Sequence, residues 1–353
     1  MQKYLSEACK ERVRKNIWEE NHMIKKYLLS TACAAAAAIS ATSASALDEI
    51  TVAYFLEWPM PFQFAKANGT YEEELGVKIN WVSFDTGTAM SAAMASGDVQ
   101  IAVSQGVPPF VVATSAGQDI QTVDVAVSYS DNDNCVVAEA LEIDKTNAGE
   151  LNGKKVGVPI GTAAHYGFLS QMAHFGVDVG SMEIVDMAPA DGAAAFAQGN
   201  LDMVCGWGGG LRRMLEHGNV LLTGAEKEEL GILVFDVTSA PADFIAEESE
   251  LLSKFLKVTA DANAMWNSGE HNDKMLPVIA KDAGMDVDET AATIATFSFP
   301  SAEEQLSEKW LGGGAQSFMK GVADVFVNAG SIEAALDSYE RAVDSAPLAD
   351  AQN

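Results

Sequence analysis

A ten-residue pattern occurs twice in this chain and constrains its fold more than any other feature. Residues 92–101 and 194–203 align at an offset of 102 residues. Each copy has an Ala-rich stretch, a glycine, a short polar residue and then an apolar run. A helix that ends at a left-handed glycine and leads into a strand has this form. The repeat therefore predicts one βα element used once in each of two similar lobes.

The segments around the repeat alternate between strand and helix patterns. We predict strands at 50–55, 77–84, 99–104, 122–128, 135–138, 155–159, 183–187, 203–207 and 232–238. Helical stretches lie between them at 88–95, 109–116, 163–175 and 190–197. This alternation indicates βαβ units in mainly parallel sheets.

After residue 246 the pattern becomes helical throughout. Helices are predicted at 251–266, 273–283, 289–297, 315–328 and 332–343, with no strands among them. No linker precedes this tail, so we expect it to pack on one lobe. Two α/β lobes with a helical tail predict a cleft between the lobes, where small ligands bind.

The N-terminal residues have the parts of a secretory signal. Lys25 and Lys26 precede an apolar run at 27–39, and Ala-Ser-Ala at 44–46 fits a cleavage site. The mature chain would start at Leu47 and contain 307 residues. We interpret residues 1–22 as a mis-assigned extension, because a signal peptide normally begins at its initiator Met, here Met23. A buried Ala-rich helix is the alternative, and a lipid anchor at Cys33 is not expected.

The charge balance excludes several classes of partner. The chain has 22 basic and 50 acidic residues, a net charge of −28, and removal of residues 1–46 leaves 15 basic and 46 acidic, a net of −31. Such a chain is repelled by nucleic acid and by anionic lipid. A hydrophobic fraction of 48% with only 20% charged residues excludes a disordered chain.

Motifs for enzymes and bound metals fail at specific positions. Residues 206–211 follow a strand as a dinucleotide loop does, but the third glycine is missing. Residues 131–134 begin like a calcium loop, yet Cys135 and Val136 stand where a ligand and a glycine are required, so we interpret them as a solvated turn. The histidines lack metal-ligand spacing. We therefore expect neither a cofactor nor a metal.

The two cysteines of the mature chain, Cys135 and Cys205, leave alternatives open. An exported protein meets an oxidising compartment, where they could form a disulfide. They could equally be two buried free thiols. A catalytic pair of either cysteine with His165 remains a further alternative.

Several strand-to-helix turns are suited to binding an anion. They contain Thr86, Gly87 and Thr88 in one turn, Gln105 in a second, and Gly161 and Thr162 in a third. Helix N-termini bind anions through free N–H groups and the helix dipole. An ordinary N-cap is the alternative for each turn taken alone. Basic residues are nearly absent from these turns, and Arg212 and Arg213 are expected to be surface charges.

Acidic and aromatic residues provide groups for the opposite, cationic end of a ligand. Glu57 and Trp58 follow the first strand, Trp207 ends the strand of the second repeat copy, and Tyr166 opens a helix. Asp236 interrupts an apolar run and would pair with an ammonium group if it faces the cleft. An aromatic ring beside it would add a cation–π contact. Exposure of Asp236 to solvent is the alternative.

At these residues the chain resembles the taurine-binding periplasmic components of ABC importers, within a wider family for sulfonates, nitrate and thiamine precursors. The GDVQI run at 97–101, the His165-Tyr166 pair and the Asp236-Val237 pair favour the taurine branch. The likeness covers most of the mature chain and is strongest at 52–54, 84–87, 95–101, 153–159, 165–166, 204–207 and 235–237.

The resemblance implies a type II periplasmic-binding-protein fold, in which two lobes close on a ligand and the closed form docks on a permease. The lobes would comprise 47–130 with 240–353, and 131–239, with crossings near 128–134 and 237–242. The loop at 55–61 is more aromatic and acidic than simple taurine binding requires, which leaves the ligand's size and amine substitution open. The residues at matching cleft positions are Thr86, Gly87, Gln105, Thr162, His165, Tyr166, Trp207 and Asp236.

We therefore expect a monomeric periplasmic solute-binding protein that captures taurine or a related small sulfonate and delivers it to an inner-membrane permease. A binder of another solute in the same family, such as an alkanesulfonate, nitrate or a thiamine pyrimidine precursor, is the first alternative. An enzyme on this fold, such as a desulfinase, is the second. That enzyme would need a reactive cysteine in the cleft.

Overall fold

In the computed structural model of the chain, residues 47–129 and 131–352 are described. The predicted signal peptide at 23–46 and the extension at 1–22 lie outside the described residues. Glu49–Asn353 forms one compact unit. Within the described part of the chain, no helix combines the length and the apolar character needed to cross a membrane.

The described chain contains eleven strands and fifteen α-helices. The strands are β1 Glu49–Tyr54, β2 Lys78–Ser83, β3 Ile101–Gly106, β4 Ile120–Tyr129, β5 Asp133–Ala138, β6 Lys155–Val158, β7 Glu183–Asp186, β8 Met203–Trp207, β9 Gly218–Val220, β10 Phe235–Pro241 and β11 Phe297–Ser298. The helices are α1 Phe62–Ala67, α2 Thr70–Leu75, α3 Gly87–Ala95, α4 Val107–Ser115, α5 Ala163–Phe175, α6 Pro189–Ala197, α7 Gly208–Leu215, α8 Gly224–Glu229, α9 Ala242–Glu247, α10 Ser249–Ser268, α11 Asn272–Ala283, α12 Val287–Ile294, α13 Ala302–Gln305, α14 Gly314–Asn328 and α15 Ala346–Asp350.

Two mixed sheets organise these strands. The first has the order β11-β4-β10-β3-β1-β2, and the second has the order β7-β6-β8-β5-β9. Three neighbouring strands are parallel in each sheet, β2-β1-β3 and β7-β6-β8. The strands β10, β11 and β5 pair antiparallel with their neighbours, so the sheets are less uniformly parallel than predicted.

The predicted repeat is present in both sheets. The helices α3 and α6 are each followed by a glycine with positive φ, Gly97 at 81° and Gly199 at 71°. Each then leads into the last strand of a parallel triplet, β3 or β8. A left-handed φ strains any residue with a side chain, so this turn explains why glycine occupies both positions.

The chain crosses between the sheets twice, and the second crossing differs from the expected one. It leaves the first sheet after Tyr129 and returns at Phe235, where β10 inserts between β3 and β4. The lobe boundary predicted at residue 239 falls within β10, because the apolar run at 232–238 supplies a strand of the first sheet. We call residues 49–129 with 235–298 the first lobe and residues 133–220 the second lobe.

The C-terminal tail departs from its prediction at two places. Residues 297–298 form β11 against β4, although no strand was expected there. Residues 332–343 were expected to be a helix, but only Glu340–Ala342 forms a short 3-10 turn. Buried Tyr339 hydrogen-bonds to Ser115 at 2.6 Å, and Val343 bridges to Thr122 of β4. These long-range contacts hold the segment in an irregular conformation.

The tail also contacts both lobes, where we expected one. Helix α14 packs against α4 of the first lobe and against α5 of the second. Its Phe326 ring stacks on His165 at 5.3 Å between centroids, and its Phe318 ring meets Tyr166 edge-on at 5.8 Å.

A disulfide joins Cys135 and Cys205 in the second lobe. The two residues are directly opposite each other on the antiparallel strands β5 and β8, and both side chains are buried. Two positions further along the same strands, Asp133 lies opposite Trp207. The disulfide thus fixes the strand pair that carries these two residues.

Candidate functional site

An inner cavity lies between the lobes. The space in it that is open to the centre of a water molecule is about 20 Å³, enough for roughly one water. The inner cavity is therefore narrow. Its lining residues are Phe55, Trp58, Gly87, Gly106, Pro109, Tyr129, Asp133, Thr162, Ala163, Trp207 and Asp236.

Asp236 of β10 provides a buried carboxylate whose two oxygens are held by the first lobe. The Ser104 hydroxyl donates to Oδ2 at 2.7 Å, and the Tyr129 hydroxyl donates to Oδ1 at 2.7 Å. The residue is 3% exposed. Burial raises the pKa of Asp236 to about 7, while the two hydrogen bonds partly oppose that rise. A cationic ligand group placed beside this carboxylate would favour its ionised form.

Ser104 is held in an unusual backbone conformation beside Asp236. Its φ is +61°, in the left-handed region that residues other than glycine seldom occupy. Its hydroxyl also accepts a hydrogen bond from the indole N–H of Trp58 at 2.9 Å. Trp58, Ser104 and Asp236 therefore form one hydrogen-bonded series. Ser104 begins the predicted strand-to-helix turn that contains Gln105, but it was not among the predicted ligand contacts.

Asp133 at the start of β5 is a second carboxylate that lines the cavity. It was predicted to belong to a solvated turn, but it is 3% exposed. Its Oδ2 has no hydrogen-bond partner, and the buried Lys227 ammonium donates to its backbone carbonyl. Burial raises the pKa of Asp133, and the Lys227 charge opposes that rise. Its position at the start of β5, where that strand meets the cleft, is the signal that the sequence reasoning overlooked.

Four aromatic rings line the cavity around these two carboxylates. Trp58 and Tyr129 of the first lobe meet edge-on with centroids 4.8 Å apart. Phe55 of the first lobe meets Trp207 of the second at 6.2 Å, so this pair joins the lobes. Rings and carboxylates together are suited to an ammonium group, through charge and through cation–π contact.

Two helix N-termini, one from each lobe, line the cavity. Gly87 begins α3 after its N-cap Thr86, and Ala163 begins α5 after its N-cap Thr162. The turns are close, since a Cβ atom at Gly161 would lie 3.3 Å from the Thr88 methyl carbon. First-turn N–H groups lack partners within a helix, so this end of the cavity is suited to an anion.

Several predicted ligand contacts lie outside the lining of the inner cavity. Gln105 is buried and donates to the Gly87 carbonyl at 2.9 Å, so it supports the α3 turn. His165 and Tyr166 pack against α14, and burial lowers the pKa of His165 to about 4. The other predicted residues outside the lining are Glu57, Thr86, Thr88 and Gly161.

Of the predicted set, the inner cavity brings together Trp58, Gly87, Thr162, Trp207 and Asp236. Sequence reasoning missed six lining residues, namely Phe55, Gly106, Pro109, Tyr129, Asp133 and Ala163. Three of these, Gly106, Pro109 and Ala163, present little side-chain chemistry. Phe55 and Tyr129 sit at strand ends, where an aromatic residue usually indicates core.

An outer chamber of about 270 Å³ lies next to the inner cavity. Phe55 and Trp207 line both spaces, so this aromatic pair separates them. Glu57 lines the outer chamber and not the inner cavity, and its carboxylate is paired with Arg213. Among the described residues, no cluster of three or more His, Cys, Asp or Glu side chains is arranged to hold a metal ion.

Together the two sheets and the interlobe cavity define a two-lobed α/β protein of the periplasmic-binding type. The family model described as NMT1/THI5 like matches residues 59–268. The chain belongs to this family.

Known proteins similar to this chain include binding proteins and an enzyme. The taurine-binding periplasmic protein of Escherichia coli (strain K12) is 27% identical over 320 residues, which cover 88% of this chain and 96% of that protein. The crystal structure of the periplasmic aliphatic sulphonate binding protein SsuA from Escherichia coli has a TM-score of 0.65 at 22% identity, covering 83% of this chain and 97% of that one. The desulfurization enzyme DSZB has a TM-score of 0.59 at 12% identity, covering 87% and 99%. The fold alone therefore does not separate binding from catalysis.

Proposed function

We propose that this protein is the solute-binding component of an ABC importer and that it captures taurine or a closely related amino-sulfonate. The observation that carries the proposal is the polarity of the inner cavity. Helix N-termini at Gly87 and Ala163 suit a sulfonate, while Asp236 and Asp133 suit an ammonium group within the aromatic rings. A zwitterion fits both ends. Nitrate or a plain alkanesulfonate would leave the buried Asp236 carboxylate without a cation.

The similarity to binding proteins supports the same proposal. The E. coli taurine-binding periplasmic protein matches nearly its full length to this chain. Export through the segment at 23–46, a monomeric state and delivery to an inner-membrane permease belong to the proposal. The inner cavity as it stands is too small for taurine, so ligand entry requires the lobes to separate.

Binding rather than catalysis is supported by the state of the cysteines. Cys135 and Cys205 are joined to each other, so neither provides a free thiolate. His165 lies against Phe326 of α14 and outside the cavity lining. A cysteine–histidine mechanism would require both of these arrangements to change.

A ligand panel tests the proposed function. The protein expressed from Leu47 is heated with taurine, plain alkanesulfonates, nitrate, thiamine pyrimidine precursors and betaines. A ligand at 100 times its Kd should stabilise the fold by about 2.7 kcal/mol. We expect the largest shift with taurine or an N-substituted relative, confirmed by calorimetry. No shift with any sulfonate would overturn the assignment.

A further inference from the structure

Two consecutive arginines of α7 reach from the second lobe to the first. Arg212 Nη2 lies 2.5 Å from Glu289 Oε1 on α12. Arg213 Nη1 lies 3.2 and 3.0 Å from the two oxygens of Glu57. Of the ion pairs among residues 47–129 and 131–352, these are the two that join the lobes.

The partners of both arginines are held in place by their own lobe. The Glu57 N–H donates to the carbonyl of Ala283 at 2.8 Å, which ties its loop to the end of α11. Glu289 lies in the first turn of α12, where its N–H donates to the N-cap Asp286 at 2.8 Å. The glutamates are therefore fixed points on the first lobe.

The start of α7 is shaped for close approach of the Glu57 loop. A Cβ atom at Gly209 would lie 2.4 Å from a Glu57 carboxylate oxygen, and one at Gly208 would lie 2.7 Å from the Glu57 carbonyl oxygen. A side chain at Gly208 would force the loop backbone away, and one at Gly209 would displace the Glu57 carboxylate. The glycine run at 208–210 resembles a dinucleotide loop in the sequence. In this fold it instead allows the close approach of the Glu57 loop.

The Glu57–Arg213 pair lies beside the route between the inner cavity and solvent. Glu57 and Gly209 line the outer chamber, and Phe55 and Trp207 separate that chamber from the inner cavity. A ligand that leaves through the outer chamber has to part the aromatic pair and then the lobes at the ion pair.

The charge balance adds to the importance of these two residues. The described chain has only three arginines, and two of them are Arg212 and Arg213. The second lobe is otherwise rich in carboxylates, as is the whole chain. Without the arginines, Glu57 and Glu289 would face an acidic surface, and like charges would favour separation of the lobes.

We propose that Glu57–Arg213 and Glu289–Arg212 form a latch that holds the lobes closed and slows ligand release. The four residues act as positioning residues and touch no ligand. The kinetic part of the test rests on the proposed function, because it uses taurine as the probe. A second part needs no ligand.

The test compares wild type with the Arg212→Met/Arg213→Met variant. Stopped-flow tryptophan fluorescence should show the dissociation rate of taurine rising roughly 3- to 10-fold, with the association rate changed by less than about twofold, because exposed ion pairs are individually weak. The wild-type dissociation rate should also rise between about 0.01 and 1 M salt, where the Debye length falls from roughly 30 to 3 Å. The variant should lose that salt dependence.

Matched variants separate the latch from a general effect of charge. Lys155 pairs with Glu183 at 3.0 Å within the second sheet, so Lys155→Met removes a similar pair without touching the lobe contact. It should leave the dissociation rate unchanged. The charge swap Glu57→Lys/Arg213→Glu should restore slow release relative to Arg213→Glu alone.

Small-angle scattering of the ligand-free protein provides the second part. The double arginine variant should have a larger radius of gyration than wild type at low salt, and the two should converge at high salt. If taurine binds and its dissociation rate is unchanged in the variant, the latch is wrong while the proposed function stands. If taurine does not bind, the proposed function fails, and an unchanged radius of gyration then overturns the latch as well.

Discussion

The two lobes are built from the same βα repeat, yet they equip the inner cavity in different ways. The first lobe presents Asp236 with both oxygens held by Ser104 and Tyr129. The second lobe presents Asp133 with one unpartnered oxygen and a buried Lys227 nearby. Both oxygens of the first carboxylate are held by its own lobe, whereas one oxygen of the second has no hydrogen-bond partner among the described residues. Two lobes built from the same βα element therefore need not contribute equally to the binding energy.

The second lobe, unlike the first, has a disulfide between two of its strands. Replacement of both Cys135 and Cys205 by Ala is expected to lower the free energy of unfolding by about 4 kcal/mol, since the bond closes a loop of 70 residues. Chemical denaturation followed by circular dichroism measures the loss. A change below about 1 kcal/mol would show that the strand pair is held by packing alone.

Neutralising the organised carboxylate should have the largest effect on affinity. Asp236→Asn keeps the shape of the side chain but removes its charge, and we expect taurine to bind about 100-fold more weakly or worse, because lost buried charge pairs cost about 2–5 kcal/mol. A plain alkanesulfonate of the same length should bind the variant as well as wild type. Calorimetry with both ligands makes the comparison, and equal losses would mean that Asp236 does not contact the amine.

Asp133→Asn is the matched change in the second lobe. Because Lys227 already offsets part of the Asp133 charge, this variant should lose about tenfold in taurine affinity, less than Asp236→Asn. A larger loss for Asp133→Asn would reverse the order of the two lobes. It would place the amine nearer to β5 than to β10.

The pH dependence of binding follows from the raised pKa of Asp236. In the ligand-free protein this carboxyl is half protonated near pH 7, and a cationic amine favours its ionised form. Binding below that pH therefore releases a proton, and affinity for taurine should rise with pH up to about 7 by at most tenfold per unit. Calorimetry in buffers of different ionisation enthalpy counts the proton. Asp236→Asn should release fewer protons than wild type.

The raised pKa of Asp236 also affects the stability of the ligand-free protein. This effect has the opposite pH dependence, because stability falls as pH rises. Asp236 holds its proton more tightly when folded than when unfolded, where its pKa is near 3.8. Its contribution to the free energy of unfolding is therefore full below about pH 4 and is lost as pH rises through about 7. Asp236→Asn should flatten that part of the stability profile. A wild-type profile that rises over this interval would contradict the assignment.

Much of the fold could be predicted from the sequence, because it depends on local periodicity. The repeat at 92–101 and 194–203 placed α3, β3, α6 and β8 correctly, since an Ala-rich helix, a glycine and an apolar strand are each local signals. The mixed direction of the sheets was missed because strand pairing depends on contacts far apart in the chain. The segment 332–343 failed for the same reason, as Tyr339 and Val343 are held by residues of α4 and β4.

The candidate site was predicted less completely than the fold. Trp58, Trp207 and Asp236 stood out because an aromatic or acidic residue beside an apolar strand is unusual. Asp133 was misread, because a run of Asp and Asn has the composition of a surface turn. His165 and Tyr166 follow an anion-type turn, but α14 covers them, and the sequence does not show where a distant helix will pack.

Ser104 offers the finest test of how the first lobe organises its carboxylate. Ser104→Ala removes the donor to Asp236 and leaves the indole N–H of Trp58 without its partner, while keeping a side chain at φ +61°. Ser104→Gly removes the same hydroxyl but relieves the left-handed strain, which costs roughly 1–2 kcal/mol for residues with a Cβ. Both variants should bind taurine about 3- to 10-fold more weakly, because a hydrogen bond is worth roughly 0.5–1.5 kcal/mol net. In denaturation, the glycine variant should be the more stable by about 0.5 kcal/mol, since its greater unfolded-state entropy offsets part of the relief. If the glycine variant is the less stable of the two, the backbone at residue 104 carries no strain, and only the hydroxyl matters.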